Sequence, residues 1–339
     1  MPGPGGRGPD GPGTAAAERM EYLVFVFRKL AGGIPLVLGV TLISFTLMVY
    51  FGPDQTYELL SKNPTAEEIA QVRAELGYDQ PFWVRYTDYL VELVILDFGY
   101  SNATGERVGG ILARTVPISL ALLAPGFVLG NLLGIALGLL AAWHRGGWVD
   151  KAIMGFAVVG MSISFLVVII AFQVLFGVVL DWFPVRGWNV YDLPSYLYYV
   201  TVPTLASVFV ALGYNTRFFR AVLVEEMTRD HVRTARAFGA SPAVILWRGV
   251  LMNAMIPIIT RIMFSIPLIV ISGSLLIETY FGIPGVGKVT FDAITSGDQP
   301  VLKAVVGLTA IGFVLILIVN DILYKWVDPR ISLTRESAA

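Results

Sequence analysis

Four stretches of this chain run for more than twenty residues without a single charge: Leu30 to Pro53, Thr115 to Trp143, Ala152 to Leu180 and Leu193 to Thr216. A helix rises about 1.5 Å per residue, so about 20 apolar residues cross a hydrocarbon layer about 30 Å thick. Two further runs fit the same rule. Pro257 to Ile277 has Arg261 near its start, placed to snorkel, and Val301 to Trp326 carries Asp321 and Lys325 in its last turns. The expectation is an all-α membrane protein with six transmembrane helices. Charged residues make up only 14% of the chain, against roughly 25% in soluble domains, and the mean hydropathy of +0.70 agrees.

Lys and Arg concentrate in loops on the cytoplasmic side of membrane proteins. Arg28 and Lys29 precede the first run, Arg145 and Lys151 mark the turn after the second, and Arg330 and Arg335 follow the last. Between the fourth and fifth runs stand seven arginines, at 217, 220, 229, 233, 236, 248 and 261, against Glu225, Glu226 and Asp230. The loop from Asp54 to Arg114 has the opposite balance, ten acids and five bases. Both termini are therefore expected on the cytoplasmic side, with the chain multi-pass in its membrane. The expected domains are a disordered Pro/Gly-rich leader (1–19), an N-terminal segment with the first helix (20–53), a small helical extracytoplasmic loop (54–114), a core of helices two to six (115–326) and a cytoplasmic tail (327–339). The leader has little to bury and lacks the apolar region of a signal peptide, and whether translation begins at Met1 or Met20 stays open.

Several chemistries are disfavoured. The chain has no cysteine, and its two histidines, His144 and His231, lie 87 positions apart in polar connections, so no metal site is expected. The 24 bases nearly balance 25 acids, which gives no reason to expect nucleic acid as a partner. HExxH, GxSxG and paired intramembrane carboxylates are absent, which argues against a membrane-embedded enzyme. No acid or base stands in the middle of a run, which argues against a proton- or ion-coupled transporter. Gly282 to Lys288 spells GxxxxGK, the start of a phosphate-binding loop, but Val289 replaces the magnesium-binding hydroxyl. The charge pattern also puts this loop outside the cell, where it reads as a Gly/Pro turn.

Within the first loop, Thr65 and Glu68 form a T-x-x-E capping box and Gly77 suits a C-terminal cap, predicting a helix over Ala66 to Leu76. Phe82, Tyr86, Tyr89, Leu90 and Leu93 then share one face of an amphipathic helix expected at the membrane surface. The arginine-rich loop, 217–256, predicts a short helix that starts at Glu225 and Glu226, ends at Arg233 and Arg236 and stops at Gly239. Ser241 would cap a second, longer helix with Pro242 at its first position. Two readings of the short helix weigh equally from the residues: a rigid knob gripped by a partner that approaches over Ala235, Ala237, Gly239 and Ala240, or a solvated linker whose charge enforces topology.

Pro117, Pro125, Gly126, Gly130, Gly134 and Gly138 in the second run, with Pro257 and Pro267 in the fifth, loosen helices and permit close crossings. Candidates to line a pathway are Asn131, Ser162, Ser164, Gln173, Asn215, Ser265, Ser272 and Ser274. Interhelical hydrogen bonding is the commoner use of such residues.

DHVRTARAFGAS, from Asp230 to Ser241, resembles the EAA loop of the membrane subunits of ATP-binding-cassette importers, in the variant found in dipeptide and oligopeptide permeases. IPLVLGVTLISFTLMVYFGPD, LGYDQPFWVRYTDYL, DFGYS, ETYFGIPGVG and VDPRIS agree in order and spacing, so the likeness spans Tyr22 to Ser332. Arg233 and Thr234 depart from the general EAA pattern, Ile256-Pro257 comes late and His231 stands where Tyr is common; the first two departures are usual for the peptide branch. The resemblance implies a type I importer permease fold and a translocation subunit for short peptides that works by alternating access. It implies a second homologous permease in a heterodimer, two ATPase subunits that bind ATP and magnesium, and an extracytoplasmic binding protein, with no cofactor or ATPase site on this chain. The coupling residues it implies are Glu226, Asp230, Arg233, Thr234, Ala235, Arg236, Ala237, Gly239 and Ala240. Phe281, Pro284, Gly285 and Gly287 would lie near the external gate. Nickel chelates or glutathione are the alternative cargo. An ATP-independent channel or secondary transporter would leave the arginine loop without a partner.

Overall fold

The glycines of the second apolar run decide how the helices pack. In a computed structural model that describes residues 12–52, 56, 60, 64–75, 77–268 and 274–327, this run lies in helix α4, Val108–Trp143. Its most extensive packing partner is α7, Leu193–Met227. Gly126, Gly130, Gly134 and Gly138 recur every four residues along one face of α4, and a side chain on any of them would press on Ser207, Ala211, Asn215 or Phe219 of α7. Small residues at this spacing let two backbones approach closely and gain contact along the whole crossing.

Further helices complete the described part of the chain. They are α1 (Pro12–Phe51), α2 (Ala66–Glu75), α3 (Phe82–Ile95), α5 (Trp148–Ser162) and α6 (Phe165–Val179), the last ending in a π-helical turn. Beyond α7 come α8 (Asp230–Ala237), α9 (Pro242–Leu251), α10 (Met255–Leu268), α11 (Ser274–Phe281), α12 (Val286–Ser296) and α13 (Gln299–Val327). Among the described residues, four segments are long and apolar enough to cross a membrane: Val26–Phe51, Val108–Trp143, Leu193–Met227 and Gln299–Tyr324. Two bent pairs, α5 with α6 and α9 with α10, raise the number to six if each counts as one span.

Several expected boundaries move. The third apolar run is two helices that meet at 96°, because Ser162 turns its hydroxyl back to Val158 O at 2.8 Å and Ser164 takes an extended backbone at the start of α6. The fifth run falls on α10 and α11, with Ser272 outside the described residues. α1 begins at Pro12, so the stretch from Pro12 to Arg19 is helical rather than disordered; its Ala-Ala-Ala-Glu-Arg sequence favours helix, and proline is suited to a first turn. Residues 1–11, most of the stretch 53–63 and the tail beyond Val327 lie outside the described residues.

α2 begins as expected, with Thr65 N–H donating to Glu68 and Glu68 N–H to Thr65 Oγ. The apolar face of α3, by contrast, is covered by protein rather than laid on a membrane surface. Tyr86, Tyr89 and Leu93 are buried against Phe45 of α1 and Val301 and Ala304 of α13. Tyr86 OH donates to Leu38 O at 3.0 Å and Tyr89 OH to Lys303 O at 2.9 Å. Leu93 fills the hollow left at Gly307, and Lys303 pairs with Glu92 at 2.5 Å.

At the arginine-rich end, Arg220 of α7 forms a two-pronged pair with Asp150 of α5, at 2.5 and 2.6 Å, and Gly146 N–H adds a third bond at 2.9 Å. Asp150 is only 4% exposed. Removing the carboxylate in Asp150→Ala leaves a half-buried guanidinium unpaired, a loss of about 3 kcal/mol. The expected result is a lower midpoint of thermal unfolding in detergent, restored in large part when Arg220→Met is added.

Candidate functional site

Two clusters stand out, one at the arginine-rich end and one where α11 turns into α12.

At the first, α7 does not stop where its apolar run stops. Phe219 and Leu223 are fully buried and carry the packed stripe onward, so the helix continues to Met227. Glu225 and Glu226 therefore end α7 instead of starting the next helix. The break comes at Thr228, whose hydroxyl bonds Glu225 O at 2.7 Å. α8 then runs from Asp230 to Ala237 and stops where the sequence suggests. Gly239 has φ +76°, its N–H bonds Arg236 O and Ala240 N–H bonds Ala235 O, the paired bonds of a glycine-terminated helix. Ser241 holds the N-cap position of α9, but its hydroxyl makes no capping bond, so Pro242 alone sets that start.

α8 is fixed from beneath. Val232 is 1% exposed within a cluster that includes Phe219, Leu223, Ile245, Val250 and Ile258. His231 Nε2 lies 2.8 Å from Gly249 O and 3.3 Å from Glu226 Oε1, and Arg229 Nε reaches Glu226 Oε2 at 3.0 Å. Glu226 is thus a buried brace rather than a surface contact, and Ala235 and Ala240 pack inward on the same cluster. Asp230, Arg233, Thr234, Arg236, Ala237 and Gly239 face solvent. So does Phe238, with 87% of its surface exposed. Sequence reading missed this aromatic, although its place between a polar helix and a terminating glycine was the available signal: no apolar neighbour in sequence continues the inward face there.

In the second cluster, the loop expected between Glu278 and the last apolar run contains a helix, α12. Phe281, Gly282, Pro284 and Gly285 form the turn that enters it, with Gly282 at φ +67°. Ile283 N–H bonds Glu278 O at 2.8 Å, and Phe281 O accepts from Gly187 N–H at 2.8 Å. Gln173 and Arg186 also donate to Tyr280 O, each at 3.1 Å, so Gln173 ties down the end of α11.

Glu278 is fully buried. Its Oε1 accepts from Ser119 Oγ of α4 at 2.6 Å and from Ser274 Oγ at 2.8 Å, and its Oε2 accepts from Lys288 N–H at 3.1 Å. Ser119 Oγ in turn accepts from Val286 N–H at 2.8 Å. The first turn of α12 is therefore an anion cradle, as GxxxxGK suggests, but the anion is a carboxylate of this chain. Lys288 Nζ pairs with Asp292 at 2.8 Å. A side chain on Gly285 would collide with the Glu278 carboxyl, and one on Gly287 with the backbone of Ser274 and Leu275.

The polar candidates divide. Asn131 and Asn215 are buried and bonded to each other at 3.1 Å across α4 and α7, an interhelical bond. Ser265 bonds Ile262 O on its own helix at 2.7 Å, and Ser274 belongs to the Glu278 cluster. Ser162 and Ser164 are exposed at the bend between α5 and α6.

Long apolar helices crossing on glycine stripes, with few charges between them, define a multi-pass α-helical membrane protein. The chain belongs to the family described as binding-protein-dependent transport system inner membrane component, whose profile matches residues 134–333, with the N-terminal profile of the same systems matching residues 22–123. It is 30% identical over 310 residues to a "Probable peptide ABC transporter permease protein" of Sinorhizobium fredii, covering 91% of this chain and 99% of that one. It is 32% identical over 312 residues to the glutathione transport system permease protein GsiC of Salmonella typhimurium, with 91% and 99% covered. Its fold is similar to a chain in an inward-facing structure of the MetNI methionine ABC transporter, with a TM-score of 0.53 at 19% identity, covering 64% of this chain and 96% of that chain. Membership in this family implies working with ATPase and substrate-binding subunits.

Proposed function

We propose that this chain is the translocation subunit of an ATP-driven importer for short peptides, and that α8 is the element through which ATPase subunits move it. The observation that carries this reading is a short helix braced from below by Val232, His231 and Glu226 while Arg233, Arg236 and Phe238 project from it. A knob held this firmly transmits displacement to α7 and α9 instead of absorbing it. Its exposed arginines suit acidic groups on a partner, and Phe238 suits an apolar pocket. ATP and magnesium are bound by the partner ATPases, and closure of the ATPases drives the spans between inward-open and outward-open packings. A second homologous permease completes a heterodimeric pathway of six spans each, and an extracytoplasmic binding protein delivers the cargo. The arginine-rich end and both termini face the cytoplasm, while α2, α3 and α12 form the outer face; the Lys/Arg bias of the loops supports that orientation.

Peptide cargo follows the name of the Sinorhizobium relative, and glutathione, itself a short peptide, is the second reading because of GsiC. The test is uptake by the reconstituted four-subunit assembly with its binding protein. ATP-dependent accumulation of labelled di- to pentapeptides is expected, and accumulation without ATP would sink the proposal; a preference for glutathione would select the second reading. For orientation, Thr295→Cys, at an exposed position of α12 in a chain without cysteine, should react with an impermeant thiol reagent added to intact spheroplasts. Reaction only after permeabilisation would reverse the topology.

A further inference from the structure

We propose that Glu278 is a positioning residue whose carboxylate latches the turn before α12 onto α4 and α11, holding one wall of the apolar cavity beside that turn in place until transport moves it. The outward setting of the turn rests on the orientation proposed above; the latch itself rests on side-chain geometry. One carboxylate joins three segments: Ser119 of α4, Ser274 on its own helix, and the first-turn amide of Lys288 on α12. Ser119 closes the circuit by accepting Val286 N–H. A buried carboxylate is costly unless its lone pairs are filled, and here hydroxyls and a helix N-terminus fill them. Lifting the turn withdraws the Lys288 and Val286 amides together, and the charge is left half-satisfied in an apolar setting. The seated and lifted states are thus discrete rather than a continuum.

The surroundings fit a moving part. Gly285 and Gly287 have no side chains, and only that lets the turn close over Glu278 and α11. Beneath the turn lies an apolar cavity of about 460 Å³, bordered by Leu275, Val286, Gly287, Thr290 and residues of α1 and α13. A second cavity of about 200 Å³ touches Ser119, Ser274 and Val286. The latch therefore stands where turn movement would reshape the wall of both cavities, which Val286 borders.

The experiment uses Thr290→Cys as a reporter in the cysteine-free chain, in the purified assembly in detergent so that membrane sidedness plays no part. Glu278→Gln keeps the size of the side chain but replaces the acceptor facing Lys288 N–H with a donor or weaker acceptor, and Ser119→Ala removes the bridge to Val286 while leaving Ser274 and the Lys288 amide on the carboxylate. A soluble maleimide is expected to label the reporter at least tenfold faster with Glu278→Gln and severalfold faster with Ser119→Ala, with the double variant no faster than Glu278→Gln alone. Without the reporter, peptide taken up per ATP hydrolysed should fall about tenfold in Glu278→Gln, while ATPase binding matches the parent in both variants and Ser119→Ala still purifies as a folded assembly with a modestly lowered thermal midpoint. Parental labelling rates in both variants would overturn the latch, and if Glu278→Gln does not fold, Ser119→Ala decides alone. If the parent assembly shows no ATP-driven uptake, the transport reading fails while the labelling comparison still decides the latch.

Discussion

Gly239→Val is expected to lower peptide uptake more than a hundredfold while the protein still inserts and purifies in normal yield. Nothing lies within 4 Å of a Cβ built at Gly239, so the substitution does not clash. It acts through the backbone, because φ is +76° there and a left-handed conformation costs an ordinary residue about 1–2 kcal/mol, with β-branched residues the worst. The terminating bonds from Gly239 and Ala240 to Arg236 and Ala235 would loosen, and Phe238, held between them, would lose its fixed direction. Gly239→Asn should keep most activity, since asparagine enters this region at low cost. Arg233→Glu with Arg236→Glu should reproduce the loss with the backbone intact, and Phe238→Ala should weaken ATPase binding by roughly tenfold, as expected for an aromatic anchor. Co-purification of the ATPase measures all four. Normal ATPase binding by Gly239→Val and by the double arginine variant together would show that α8 is not the docking element.

The second large effect is structural. Gly213→Leu on α7 should abolish the monodisperse folded protein. A Cβ there would lie 2.8 Å from Met161 N, 2.9 Å from Gly160 C and 3.0 Å from Ala157 O, all of them backbone atoms of α5. No side chain can rotate away, so the helices must separate, which exceeds the usual 1–3 kcal/mol of overpacking. It would also strain the Asp150–Arg220 pair, which joins the same two helices. Gly155→Leu is the control: it lies on α5 with nothing within 4 Å and should leave the elution profile in detergent unchanged. Equal behaviour of the two variants would mean that the backbone contact between α5 and α7 is not needed for folding.

Local signals were legible in the sequence where one residue type does one job over a short range. The Thr65–Glu68 box, the Gly239 stop and the small-residue stripe from Gly126 to Gly138 all appear as read, because capping and close helix approach depend on neighbours a few positions away. The arginine-rich loop was half legible. Its end at Gly239 was visible, but its start was misplaced at Glu225, since acids near a helix start in general and here the packing of Phe219 and Leu223 carries α7 past them. The stretch FGIPGVGK reads from its letters as a Gly/Pro turn, and the dominant feature of its surroundings, the burial of Glu278, leaves no periodic trace. Its partner Ser119 is 159 residues away in the chain.

The sequence by itself determined the class of protein and the placing of its apolar segments, because the absence of charge over twenty or more residues leaves a chain in water few alternatives to crossing a membrane. The arginine bias and the EAA-like stretch pointed to the end where a partner would act. Tertiary structure alone decided which polar groups are internal. It paired Asn131 with Asn215, turned Glu226 inward as a brace, covered the aromatic face of α3 with α1 and α13, bent the third apolar run through 96°, and filled the anion cradle of GxxxxGK with Glu278. Each of these depends on which donors and surfaces distant segments bring together, and hydrogen-bond satisfaction in an apolar interior is a property of that meeting rather than of any local pattern.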